Sequence, residues 1–140
     1  MPFPTIRACI LCEEMREERR GLVSLFGFYG LMPDVDVLVQ DFAAPGFMRV
    51  TFVFVGSGGE GHFTMSLRLF KPDGLVLFES PGPGLPLDVV PQRRANIGFS
   101  LVPGLRLPEA GTYRVLLLAD GEPVFETTFT ARQGQPGDFA

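Results

Sequence analysis

Two cysteines two residues apart, Cys9-Ile-Leu-Cys12, and one histidine, His62, are the residues whose types best suit metal, redox or nucleophilic chemistry. A zinc ion takes about four ligands arranged as a tetrahedron, and two thiols with one imidazole fall short of that set. A Cys-x-x-Cys redox centre sits at a helix N-terminus beside a βαβ unit, whereas the residues around Cys9 alternate as a strand does. On a strand an odd separation turns two side chains to opposite faces, so Cys9 and Cys12 are expected to be packed thiols that share no ligand. His62 lies near Ser57, Ser66 and Asp73 along the chain, but a triad needs base, nucleophile and orienting group in mutual hydrogen-bond reach. His62 falls on the polar face at a strand start, so no catalytic residue is expected.

Other patterns offer weaker chemistry. Asp34-Val-Asp36 and Asp41 bring oxygens toward a calcium-like set, yet calcium takes six to eight ligands and few further carboxylates are at hand. Charge that discourages strand addition at a sheet edge is the expected role of this pair. The loop Gly56-Ser-Gly-Gly-Glu-Gly61 contains no lysine and leads into a strand, whereas a phosphate cradle feeds a helix N-terminus. It reads as a hairpin loop, and no metal or cofactor is expected.

The elements that would position these residues follow a period of two. Met48, Val50, Phe52 and Phe54 line one face of a strand, and Phe63, Met65, Leu67 and Leu69 line one face of the next. With the glycine loop between them, these two strands are expected to pair as a hairpin. Further short runs at 75–79, 85–90, 97–102, 112–119 and 124–131 are each bounded by Gly, Pro or Asp. Asp120-Gly121 is a strong two-residue turn signal, so the last two runs should pair. Residues 81–86, Pro-Gly-Pro-Gly-Leu-Pro, read as a connection between sheets or an edge segment.

Near the start, residues 5–13 form a strand and the charged run Glu13-Glu-Met-Arg-Glu-Glu-Arg-Arg20 leads to a turn. Glu13 and Glu17 repel at helical spacing, so a hairpin tip at Arg19, Arg20 and Gly21 is the better reading, with 22–29 returning. Glu17, Glu18, Arg19 and Arg20 are the candidate partner-binding residues on that tip. The 14 phenylalanines, with no tryptophan among them, read as core rather than as a stacking platform, which favours Trp, Tyr and Arg as well.

A length of 140 residues is enough for one core, placed here at residues 1–132 with a flexible tail at 133–140. Net charge is −4 and the 12 Lys and Arg residues are scattered, which argues against nucleic acid as a partner. No apolar run approaches the roughly 20 residues of a membrane helix, and the start has no secretory pattern. The expected location is the cytoplasm.

In Leu107-Pro-Glu-Ala-Gly-Thr-Tyr113 a tyrosine enters a strand after Gly-Thr, a placement similar to the tyrosine corner of Greek-key sandwiches. The expected fold is all-β, an immunoglobulin-like antiparallel sandwich of about seven to nine strands. Leu11-Cys-Glu-Glu-Met-Arg16, Gly21-x-x-Ser-Leu25, Gly27-x-Tyr29-Gly30, Gly111-Thr-Tyr113 and Asp120-Gly-Glu122 together resemble a family of small bacterial single-domain β-sandwich proteins of unknown function. That resemblance implies the same fold and adds no catalytic residue. The functional expectation is a non-enzymatic interaction module that offers loops or a sheet edge to a protein partner or to a second copy of itself. The alternative is a small-molecule or carbohydrate-binding domain using a groove beside residues 81–86 and 56–61.

Overall fold

Alternation of apolar and polar residues produces ten strands in the computed structural model, which describes residues 3–91 and 93–139. Among these residues the strands are β1 (Thr5–Glu17), β2 (Val23–Leu31), β3 (Asp36–Val39), β4 (Thr51–Ser57) and β5 (Gly61–Phe70). The second half contributes β6 (Val76–Glu79), β7 (Leu85–Val89), β8 (Arg94–Ser100), β9 (Gly111–Ala119) and β10 (Glu122–Gln133). The number passes the expected seven to nine because β3, a four-residue edge piece outside the runs read from the sequence, adds a tenth.

The strands form two sheets. One has four strands in the order β2-β1-β4-β8. The other has six, β3-β10-β9-β5-β6, with β7 also paired to β5. Their inner faces close on one core in which Phe52 and Phe54 of the first sheet oppose Leu67, Val115, Leu117 and Phe129 of the second, the arrangement of a β-sandwich. The six-stranded sheet is mixed where an antiparallel one was expected, because β3 runs parallel to β10. The chain leaves β2 in one sheet and crosses to the other before forming β3, so the crossing rather than a tight turn sets the direction of β3.

Both sides of the 56–61 loop have the inward residues expected, but the loop does not close a hairpin. β4 pairs with β1 and β8, and β5 pairs with β9, β6 and β7. Each strand carries one apolar face, and placing them in opposite sheets turns both faces inward. Gly58 and Gly59 supply the positive φ values, 79° and 72°, at this change of sheet.

The β9–β10 hairpin turns at Asp120 and Gly121 as expected, both with positive φ. Asp120 also accepts a hydrogen bond from the Thr64 amide at its Oδ1 and donates its own amide to Thr64 O, each at 2.8 Å, which ties the turn to β5. Tyr113 is fully buried. Its hydroxyl donates to Glu109 O at 2.6 Å and accepts from Glu109 N at 3.2 Å, the contact back to the upstream chain that the Gly-Thr-Tyr pattern suggested.

The segment expected as a tail begins inside the sandwich. Gln133 is the last residue of β10, the Gly134 amide bonds to Val39 O at 3.0 Å, and a 3₁₀ turn follows at Pro136–Phe139. Among the described residues no helix is long and apolar enough to cross a membrane.

Candidate functional site

The charged tip forms as the sequence suggests. β1 ends at Glu17, a 3₁₀ turn occupies Arg19–Gly21, and β2 begins at Val23. The Glu18 amide bonds to Leu22 O at 2.7 Å and the Leu22 amide to Arg19 O at 3.3 Å. Arg20 takes a left-handed φ of 64°, an uncommon state for a residue with a side chain.

The tip does not stand alone in space. It meets the β7–β8 connection, where Arg20, Leu22, Arg93 and Arg94 line a cleft of about 550 Å³. An adjoining cleft of about 440 Å³ touches Glu17, Glu18, Val90 and Asn96. Leu22 is 62% exposed at this junction. Among the described residues no ion pair engages Arg19, Arg20, Arg93 or Arg94. Three guanidiniums around an exposed leucine are suited to an acidic partner with an apolar anchor, because guanidinium binds carboxylate through paired N–H donors. Arg19 shares the turn but lines neither cleft. Sequence reasoning missed Arg93 and Arg94. Their only signal was an arginine pair just after Pro91, in a turn distant along the chain from the tip.

From this junction an open seam follows β8. β8 is the edge of the four-stranded sheet, and β6 and β7 lie end to end along β5 at the facing edge of the other. A cleft of about 370 Å³ between them is lined by Phe78, Pro81, Leu85, Phe99 and Leu101 among others. It continues into one of about 530 Å³ that shares Phe78 and Leu101 and reaches Phe47, Val102, Lys71 and Arg106. The Arg106 guanidinium lies 4.3 Å from the centre of the Phe47 ring. Val102 is 88% exposed, an apolar rim of the kind that marks binding surfaces. The groove expected beside residues 81–86 is therefore present, but the 56–61 loop lines neither of its two parts.

No family model matches the chain, and no curated protein matches it.

The residues singled out from the sequence for catalysis or metal binding do not come together around His62. His62 faces Asp88 across the β5–β7 pair, with Nδ1 2.5 Å from Oδ1 and both side chains largely exposed. Ser57 accepts from the Arg7 guanidinium and Asp73 pairs with Lys71, so neither joins His62. Asp36 lies on the edge strand β3, where it pairs with Arg132 at 3.6 Å and accepts from the Thr130 hydroxyl. Among the described residues no three His, Cys, Asp or Glu side chains gather as metal ligands would.

Cys9 faces the core, whereas Cys12 lies outside the core cluster and donates its thiol to Glu14 O at 3.5 Å and Thr51 O at 3.8 Å. Both are buried and unpaired. Burial pushes both thiols upward, Cys9 far above its ordinary 9.0. A folded thiol that keeps its proton while the unfolded one ionises contributes stability that is complete below the unfolded pKa and lost as pH rises. Urea denaturation from about pH 7 to about pH 10 should show a midpoint that falls above about pH 9. The Cys9→Ala variant should fall less steeply. An unchanged slope in that variant would assign the alkaline loss to other groups.

Proposed function

We propose that the protein is a non-enzymatic interaction module that captures an acidic partner at the β1–β2 tip. The convergence of Arg20, Arg93 and Arg94 around exposed Leu22 carries this reading. The chain as a whole has a net charge of −4, so this cationic corner is a local exception to its general field, and such exceptions steer a partner of opposite charge to one place. The reading keeps the immunoglobulin-like class, for which the Tyr113 hydroxyl bonded back to Glu109 is the supporting contact. It is also in keeping with the functionally unassigned family that the sequence resembles. Two unpaired thiols suit a reducing compartment, which supports work in the cytoplasm.

The test is fluorescence anisotropy with a labelled peptide of aspartates and glutamates around one leucine, beside a lysine-based counterpart. The wild type should prefer the acidic peptide, and the Arg20→Glu/Arg93→Glu/Arg94→Glu variant should weaken that binding by about tenfold or more. Equal binding of both peptides, or an unaffected variant, overturns the reading.

The apolar seam favours a second reading, a small-molecule site. Its two joined clefts have the size and apolar lining of ligand pockets. Saturable binding of an uncharged apolar compound that competes with no peptide would select it.

A further inference from the structure

We infer that the free edge of β8 is a strand-acceptor slot for an extended, alternately apolar segment of a partner protein with acidic residues at its two ends. The inference rests on the interaction-module reading and names what the partner must look like.

The first observation concerns the edges. A sheet edge exposes unpaired backbone N–H and C=O groups, and proteins interrupt such edges to prevent unwanted pairing. Every other edge strand here is interrupted. β2 turns through a φ of 63° at Gly27 and slips register against β1 between Leu11 and Cys12. β3 and β6 are four residues long, and β7 contains Pro86. β8 runs for seven residues, Arg94-Ala-Asn-Ile-Gly-Phe-Ser100, without proline, lysine or register shift against β4. Among the described residues no backbone hydrogen bond reaches β8 from the side away from β4.

The second observation is what lies beside that edge. The seam borders β8 along its length, from Arg94, Ala95 and Asn96 at one end to Phe99, Ser100 and Leu101 at the other. An added strand would send alternate side chains between the sheets, against Phe78, Leu85, Phe99 and Leu101, and leave the others in solvent. That requires a period-two partner. Backbone bonds would supply affinity and the apolar gap specificity, as in β-strand addition generally.

The third observation is charge. Arg93 and Arg94, with Arg20 beyond them, stand at one end of the slot. Arg106 and Lys71 stand at the other, and the two apolar parts have no carboxylate in their lining. Lys71 is shared with Asp73 at 3.5 Å, and Glu17, Glu18 and Asp88 border the first end. Asp88 is occupied by His62, and the cleft around Arg20, Arg93 and Arg94 has no carboxylate in its own lining. A segment with acidic flanks satisfies them.

The probe is a peptide of about nine residues, Asp-Glu-Val-Thr-Val-Thr-Val-Glu-Asp, titrated into the intact protein while amide hydrogen exchange is followed. Two further copies carry N-methyl groups on alternate amides, one set on each edge of the peptide strand, and a fourth copy has lysine flanks. Binding should slow exchange at 94–100, survive methylation of one edge only, and weaken by about tenfold or more with lysine flanks. Binding of both methylated copies as tightly as the parent overturns strand addition while leaving an acidic-partner module in place. Sensitivity to methylation with no preference between flanks overturns the acidic-partner reading and the charge part of this one, and keeps the slot. Protection at 94–100 that arises from a dimer of the protein in the absence of peptide overturns the inference in favour of self-pairing. Absence of any binding overturns it outright.

Discussion

Phe129→Ala is expected to lower the stability of the protein by about 3–5 kcal/mol, the usual cost of deleting a fully buried phenylalanine. The residue has no exposed surface and it couples the two sheets. Its ring stacks on Tyr113 with centroids 5.3 Å apart and planes inclined by 6°, and it lies 6.2 Å from Phe52 on the opposite sheet. Truncation removes partners from both rings at once, and neighbours held in sheets cannot close the space fully. Because a domain of this kind is stable by only about 5–15 kcal/mol, the urea midpoint should fall far enough to leave little margin at warm temperatures. Tyr113→Phe makes a smaller expected change, about 0.5–1.5 kcal/mol, because it removes the hydroxyl's bonds to the half-buried Glu109 amide and carbonyl. A loss under about 1 kcal/mol for Phe129→Ala would mean that the sheets collapse onto the gap and that the stack is not a main tie between them.

The second large effect is expected at Gly84, where stability and the proposed slot meet. Gly84 has a φ of 108°, and a Cβ built there would lie 2.3 Å from Met65 O and 3.0 Å from Met65 C. Both obstacles are backbone in β5, so the chain before β7 would have to move. Gly84→Ala should therefore cost at least about 2 kcal/mol, combining a strained conformation with a steric shift. The movement would displace Leu85 and the wall of the seam opposite β8, so binding of the acid-flanked peptide should weaken together with stability. Gly82 is the internal comparison. Its φ is 69°, but a methyl group added at Gly82 would meet nothing within 4 Å, so Gly82→Ala should cost about 1–2 kcal/mol for the left-handed conformation alone and leave binding intact. Denaturation curves and peptide titrations of both variants check the contrast. Equal losses in the two would show that close approach to Met65 has no energetic weight.

The local pattern decided the strands and their inward faces. Phe52 and Phe54, Met65, Leu67 and Leu69, and the Asp120–Gly121 turn follow from alternation and turn chemistry over a few residues, and all lie where that reasoning puts them. The tip at Arg19–Gly21 is local in the same way, because a short turn needs only neighbouring residues to close it.

Beyond the β1–β2 and β9–β10 hairpins, which strands pair was decided only by the tertiary structure. A glycine-rich loop permits either a hairpin or a change of sheet between β4 and β5, and the choice depends on whether two apolar faces can meet across a core, a relation between residues distant along the chain. The edge role of Asp36 was legible from its charge, but the parallel pairing of β3 with β10 is a contact across nearly the whole sequence. The candidate site has the same origin. Arg20 was visible as part of a charged tip, but Arg93, Arg94 and the open edge of β8 join it only when two sheets fold over one core and leave one margin uncovered. Side-chain alternation is written in adjacent residues, whereas a binding surface is made by the closure of the chain upon itself.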